Sequence, residues 1–332
     1  MTDVQFANLS IRFGQKELLD YKELVTGAFL KDTYVRKYGR SSYHFLDTKI
    51  GLIDKDDPMS AAIWGRFVKE TTLERQQFVS EGSLVQDPKT LESAPTSFFA
   101  FFLADHRLAF VPETKHAPTL GNLETTVRKF VQNEYDTWSK ALYRSTKERV
   151  STYTWKKLYA DHVPPSVALV PLTARESIEA FVGRFSKIES LTVYVVKRNQ
   201  DMNGADLFEA LVKKSEEMDA SSARFVVNGD KDDGLDIENT TDFVSETTEG
   251  GYERVSLRGM DQNGDVLKGT NEDFKLTTEL DFSGLTDEQK LQNVFQSYEA
   301  NKVAGVIKVS ERNKDLIIPI LRRLIEGQNE SN

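Results

Sequence analysis

Hydrophobic positions change their period several times along the chain, and each change marks an expected element. Residues 6–13 alternate loosely as a strand, Gly14 closes it, and Leu18, Tyr21, Val25 and Phe29 then fall at helical spacing. Short strands are expected over 33–38, 42–46 and 49–54, with Gly39-Arg40 and Asp47-Thr48 as turns. Residues 61–81 read as helix, followed by a polar loop up to Pro95. Residues 97–102 hold Phe98, Phe99, Phe101 and Phe102, the most apolar run in the chain. Asp105-His-Arg interrupts it and 108–111 resumes it, so a hairpin buried on both faces is expected, the centre of the first core.

Past Pro118, Leu123, Val127, Phe130, Trp138 and Leu142 predict one long amphipathic helix over 122–147. Tyr- and Trp-rich 150–159 reads as a return to strand, and Pro164-Pro165 as a domain boundary. Strands are then expected at 167–172, 191–195, 224–228, 255–260 and 266–268, the last two around an Asn263-Gly264 turn. Thr173-Ala-Arg-Glu176 and Thr286-Asp-Glu-Gln289 are capping boxes, each predicting a helix, with another helix at 207–212. Pro319 is expected to open a last short helix that Gly327 ends. Strands and helices mix without strict alternation, which predicts an α+β fold.

At 332 residues the chain is long for one core, and 39% hydrophobic residues suffice to build one or two. The net charge of −9 argues against a generic nucleic-acid binder, but the charges segregate: residues 140–200 carry 11 basic and 5 acidic side chains, residues 201–290 carry 9 and 23. With no cysteine, no apolar window of membrane-spanning length and no secretory leader, a cytoplasmic protein is expected.

Motif templates are mostly silent. The four histidines His44, His106, His116 and His162 are scattered, Asp261-Gln-Asn-Gly-Asp265 is a turn and no calcium loop, and no P-loop, dinucleotide fingerprint or nucleophile elbow occurs, so no cofactor is expected. A metal-dependent nuclease needs an acid on one strand and acid-x-Lys on the next. Asp105 with Glu113-x-Lys115 is too widely spaced. Asp32 with Asp47-x-Lys49, aided by Glu17 or Glu23, has better spacing, yet Asp47-Thr48 reads as a turn facing solvent.

The basic residues say more. Arg36, Lys37 and Arg40 cluster early; Lys147 and Arg149, with Arg144, end the long helix; Lys156 and Lys157 follow Tyr153-x-Trp155; Arg184, Lys187, Lys197, Arg198, Lys213 and Lys214 continue the series. Such a series can neutralise phosphates while interleaved aromatics stack. The plainer reading is dipole compensation at helix ends and a core-facing strand around Trp155.

The order of elements resembles the RexA-like family of phage-exclusion proteins. The matching pieces are 98–110 with Thr119-Leu-Gly-Asn-Leu, Glu148-Arg-Val, Ser190-Leu-Thr-Val-Tyr-Val-Val-Lys, Val255-Ser-Leu-Arg and Asp261-Gln-Asn-Gly-Asp-Val-Leu. None is a catalytic motif. The resemblance implies a non-enzymatic, sequence-tolerant binder of double-stranded DNA, acting as a homodimer in anti-phage defence, with a membrane-associated defence protein as a possible partner. It also implies a larger domain from both chain ends, here 1–165 with 286–332, and a smaller inserted domain, 166–285, that swings. The chain departs from the family in being longer at 303–325 and more acidic at 230–281. The rival expectations are the Asp32, Asp47, Lys49 nuclease and a protein-binding adaptor whose acidic segment mimics nucleic acid.

Overall fold

The computed structural model describes residues 1–195, 213–215, 217–218, 220, 223–309 and 313–329. Lys197, Arg198 and the helix expected at 207–212 lie outside the described residues. The architecture is α+β. Its strands in chain order are β1 (Thr2–Phe13), β2 (Lys16–Glu17), β3 (Arg36–Tyr38), β4 (Ser41–Leu52), β5 (Ala61–Ser80), β6 (Ser83–Ser93), β7 (Thr96–Phe102), β8 (Arg107–Pro112) and β9 (Pro165–Pro171). They continue with β10 (Phe185–Val195), β11 (Ala223–Asn228), β12 (Glu253–Asp261), β13 (Val266–Thr270) and β14 (Thr277–Leu280). The described helices are α1 (Lys22–Leu30), α2 (Leu120–Arg149), α3 (Trp155–Asp161), α4 (Arg175–Val182), α5 (Ile237–Thr248), α6 (Asp287–Val303) and α7 (Lys314–Asn329).

A ten-stranded sheet runs β14-β1-β8-β7-β5-β4-β3, with β2 and β9 also paired to β1 and β6 paired to β5. The phenylalanine hairpin sits at its middle as β7 and β8. Phe99 and Phe101 point into one apolar layer with α1, α2 and α7, while Phe98 and Phe102 point into the opposite layer with α6. Each of these rings is at most 2% exposed, so each contributes about 1.5–3 kcal/mol relative to an exposed ring. Loss of alternation in the sequence is what burial on both faces requires.

Residues 61–93, expected as a helix and a loop, are instead the hairpin β5–β6. Glu, Arg and Gln in this stretch favour a helix weakly, and tertiary pairing overrides them: β5 lies between β4 and β7 over Ala62–Val68. Gly65 allows this, because a Cβ there would come within 2.8 Å of the Thr48 Cα. Asp47-Thr48, expected as a turn between two strands, is a bulge inside the single strand β4, with Asp47 at φ 52°. Beyond Thr71 the hairpin pairs only with itself, out to a Glu81-Gly82 turn with both φ positive.

The long helix α2 is near its expected span, opened by a reciprocal Thr119–Asn122 capping box. The box at Thr286 also forms. That at Thr173 does not: Ala174 is the N-cap of α4, and the Thr173 hydroxyl is 2.7 Å from that of Thr248. Pro319 and Gly327 both lie inside α7 and mark neither of its ends. Residues 150–159, expected as strand, contain a turn and α3, whose N-cap Thr154 accepts from the Lys157 amide.

A second, four-stranded sheet runs β11-β10-β12-β13 and packs on α4 and α5 through Ile178, Phe181, Val244 and Phe274. The strand expected to open the inserted unit at residue 166 is β9, and it pairs along β1 from Ala7 to Phe13. The chain leaves the large sheet only after Pro171 and re-enters it at Thr277. Arg107 spans the junction while fully buried. Its guanidinium donates to Asn8 Oδ1 (2.6 Å), the Gly250 carbonyl (3.2 Å), the Tyr252 hydroxyl (3.3 Å) and the Lys308 carbonyl (2.8 Å). A second tie is Arg254, which pairs with the buried Glu124 at 2.9 Å and donates to the Leu169 carbonyl.

Candidate nucleic-acid interface

The buried stripe of α2 ends at Ser139, and beyond it the helix runs free of the sheet. Lys140, Arg144, Lys147 and Arg149 are all exposed on this stretch. The Lys147 ammonium folds back onto the carbonyls of Ser151 and Tyr153, closing the turn into α3. Lys147 thus stabilises a helix end, as its favourable place on the dipole suggests. Leu158, the one buried residue of α3, pins the short helix to the body. At its far end the Tyr135 hydroxyl donates to the His162 carbonyl (2.5 Å), and Tyr21 Oη lies 3.0 Å from His162 Nδ1. Burial pushes the Tyr135 and Tyr21 hydroxyls up and His162 down from its ordinary 6.5.

Two features of this corner stand out. Lys156 and Lys157 occupy the first turn of α3, where the helix dipole disfavours cations. Lys157 lies 5.9 Å from the Tyr153 ring centre, while Lys156, Lys140, Arg144 and Arg149 have no ion pair or hydrogen bond among the described residues. Beside them the Tyr143 and Trp155 rings stack at 4.1 Å and 11°, and Tyr159 follows Trp155 at 5.6 Å. Residues 140–162 contain six lysines and arginines and two acids, Glu148 and Asp161.

The other expected contacts divide differently. Arg36 donates to Thr126 Oγ1 (2.9 Å) and lies over the Tyr43 ring at 4.5 Å; it joins the sheet to α2, and burial lowers its pKa. Arg40 pairs with Glu74, while Lys37 is exposed. Arg184 is exposed beside Phe181, and the Lys187 ammonium is held by the Lys231 carbonyl in the acidic 230–233 turn. Lys214 pairs with Glu217 at 2.8 Å and Lys213 is exposed. Thirty residues of α2 span about 45 Å, and the small sheet touches its opening turns through Glu124. No hydrogen bond, ion pair or ring contact among the described residues joins Arg184 or Lys187 to the α2–α3 corner.

The nuclease candidates are occupied otherwise. Lys49 pairs with Glu288 at 2.9 Å, which raises the lysine and lowers the glutamate. Asp105 accepts from the Tyr298 hydroxyl (2.6 Å) and Lys302 (2.9 Å), and Glu113 is held by Arg66 and Lys290. Asp32 lies exposed in the turn after α1. Among the described residues no group of three or more His, Asp or Glu side chains converges as a metal site. Tyr143 and Lys140 were not singled out by sequence reasoning. Their signal is an aromatic and a cation placed off the apolar stripe of α2.

No protein-family model matches the chain, and no curated protein matches it. Among the described residues no helix is long and apolar enough to cross a membrane.

Proposed function

We propose that the protein is a non-catalytic DNA-binding protein that holds DNA by its phosphates, with little sequence preference, at the α2–α3 corner. The observation that carries this is the placement of Lys156 and Lys157 at the dipole-unfavoured end of α3, next to exposed cations that form no ion pair. Lys157 has the Tyr153 ring beside it and Lys156 no side-chain partner among the described residues, which supports phosphate neutralisation as their role. The exposed charged side chains at this corner are mostly lysines and arginines suited to phosphates, so the contacts are expected to be of the positioning kind that carry no sequence information. The resemblance to the RexA-like family adds a homodimer and a role in phage exclusion, and two copies of the corner would raise avidity without new chemistry.

Gel-shift titrations over a salt series test the reading. Each phosphate neutralised contributes about −0.9 to the slope of log affinity against log salt. Lys156→Ala with Lys157→Ala should weaken binding at every salt concentration and flatten the slope by about 2. Lys147→Ala should lower thermal stability more than affinity, because that ammonium caps carbonyls. Affinity that ignores salt, or a double variant that binds like the parent, overturns the assignment.

A further inference from the structure

The cations answer to phosphates, but they leave the rings between them without a role. Tyr143 and Trp155 are stacked nearly parallel, yet Trp155 is 36% exposed and Tyr159, next in the series, is 44% exposed. The other two tryptophans differ: Trp64 is half-buried against the α6 layer, and Trp138 is packed among Tyr21, Tyr135 and His162. Tyr143 is half-buried and also meets the buried Tyr153 ring at 6.2 Å, but Trp155 and Tyr159 remain open to solvent where six cations gather.

Trp155, with Tyr143 stacked on it and Tyr159 tilted beside it, and Tyr159 itself keep exposed ring surface that another flat group can meet. Cations in the adjoining turns, Arg144 and Arg149 on α2 and Lys156 and Lys157 on α3, are placed to follow a phosphate backbone past it. Stacking surface beside a cationic track is how single strands are held without sequence readout. The bases of an intact duplex cannot use such a surface, since their faces are covered by neighbouring pairs. Unpaired nucleotides can.

We infer that Tyr143, Trp155 and Tyr159 form a stacking platform for unpaired nucleotides, so that the site prefers DNA carrying a single-stranded segment to a blunt duplex. This rests on the α2–α3 corner being the DNA site.

The test uses the full chain with a blunt duplex, the same duplex bearing a single-stranded dT tail, and an oligo(dT) strand. The tailed duplex should bind about 5- to 100-fold tighter than the blunt one, the gain that one stacked base gives. Oligo(dT) should quench tryptophan emission, and Trp155→Phe should remove the quenched component while keeping most of the preference. Trp155→Ala should lose the preference yet still bind the blunt duplex, with thermal melts showing that the fold persists. Equal affinity for tailed and blunt DNA, or a preference that survives Trp155→Ala, overturns the platform. If Lys156→Ala with Lys157→Ala still weakens binding in that case, the phosphate-binding reading stands alone. If no DNA binds at low salt, both readings fall.

Discussion

Arg107→Met tests the junction between the two sheets. The side chain is fully buried, and its hydrogen-bond partners among the described residues are neutral oxygens from three separate parts of the chain. Methionine nearly preserves the volume, so cavity formation contributes little and the effect isolates the polar contacts. Removing the guanidinium strands the buried Asn8 Oδ1, at about 1–3 kcal/mol, while the less buried Gly250 and Lys308 carbonyls lose bonds of about 0.5–1.5 kcal/mol each. The gain from no longer desolvating a cation opposes this and is itself several kcal/mol. Because the bond to the buried Asn8 is short, at 2.6 Å, the contacts should win, with a net loss on the order of 1–3 kcal/mol. Against a typical total of about 5–15 kcal/mol that is measurable, and the melting temperature should fall by roughly 2–10 °C. Thermal melts give the size of the loss. Limited proteolysis should show new cutting near Gly250 and Lys308, where the guanidinium holds the backbone. A variant melting at or above the parent temperature would mean desolvation outweighs the bonds, and would refute this account.

Acid should loosen the α2–α3 corner through His162. Burial depresses its pKa, with Lys16 adding to the shift and Asp161 opposing it, so on acidification the unfolded chain takes up the proton first. Its contribution is present above the ordinary value of 6.5 and is lost as pH falls through the lower folded value. The melting-temperature gap between parent and His162→Gln should therefore shrink toward acid pH; a gap constant with pH would show that the imidazole does not titrate in this way. Catalytic silence is also expected: with magnesium or manganese the protein should leave plasmid, linear and single-stranded DNA uncut. Cleavage that disappears in Asp47→Ala would restore the nuclease reading.

The parts of the fold legible in the sequence are those where one local signal had no competitor. The unbroken phenylalanine run could only be satisfied between two apolar layers, and the Thr286 box and the Asn263-Gly264 turn each fix backbone geometry by their own chemistry. The misread parts depend on distant partners. Residues 61–93 contain helix-favouring Glu, Arg and Gln, and only the pairing of β5 with β4 and β7 makes them strand. Trp155 and Tyr153 alternate as a strand would, but Thr154 between them caps a helix instead. The site divides in the same way. Lys156 and Lys157 could be named from sequence, whereas the stacking of Tyr143 on Trp155 follows from a turn that sequence reasoning took for strand. Arg36 and Lys187 looked like free cations because their partners, Thr126 and the Lys231 carbonyl, lie far along the chain.

The pairing of β1 has a consequence for synthesis. Of the hydrogen-bonding partners of β1, β2 follows it at once, whereas β8, β9 and β14 are made later, the last spanning Thr277–Leu280. At about 5–20 residues per second, roughly 15–55 s separate the first residues of β1 from the arrival of β14. β8 and β9 can pair Gln5–Asn8 and Ala7–Phe13 well before that, so the stretch left open until β14 arrives is Thr2–Gln5, and an unpaired strand end is a template for another chain. The large sheet therefore lacks this pairing of β1 until Thr277–Leu280 is made, and a product truncated before Thr277 leaves Thr2–Gln5 unpaired on that side.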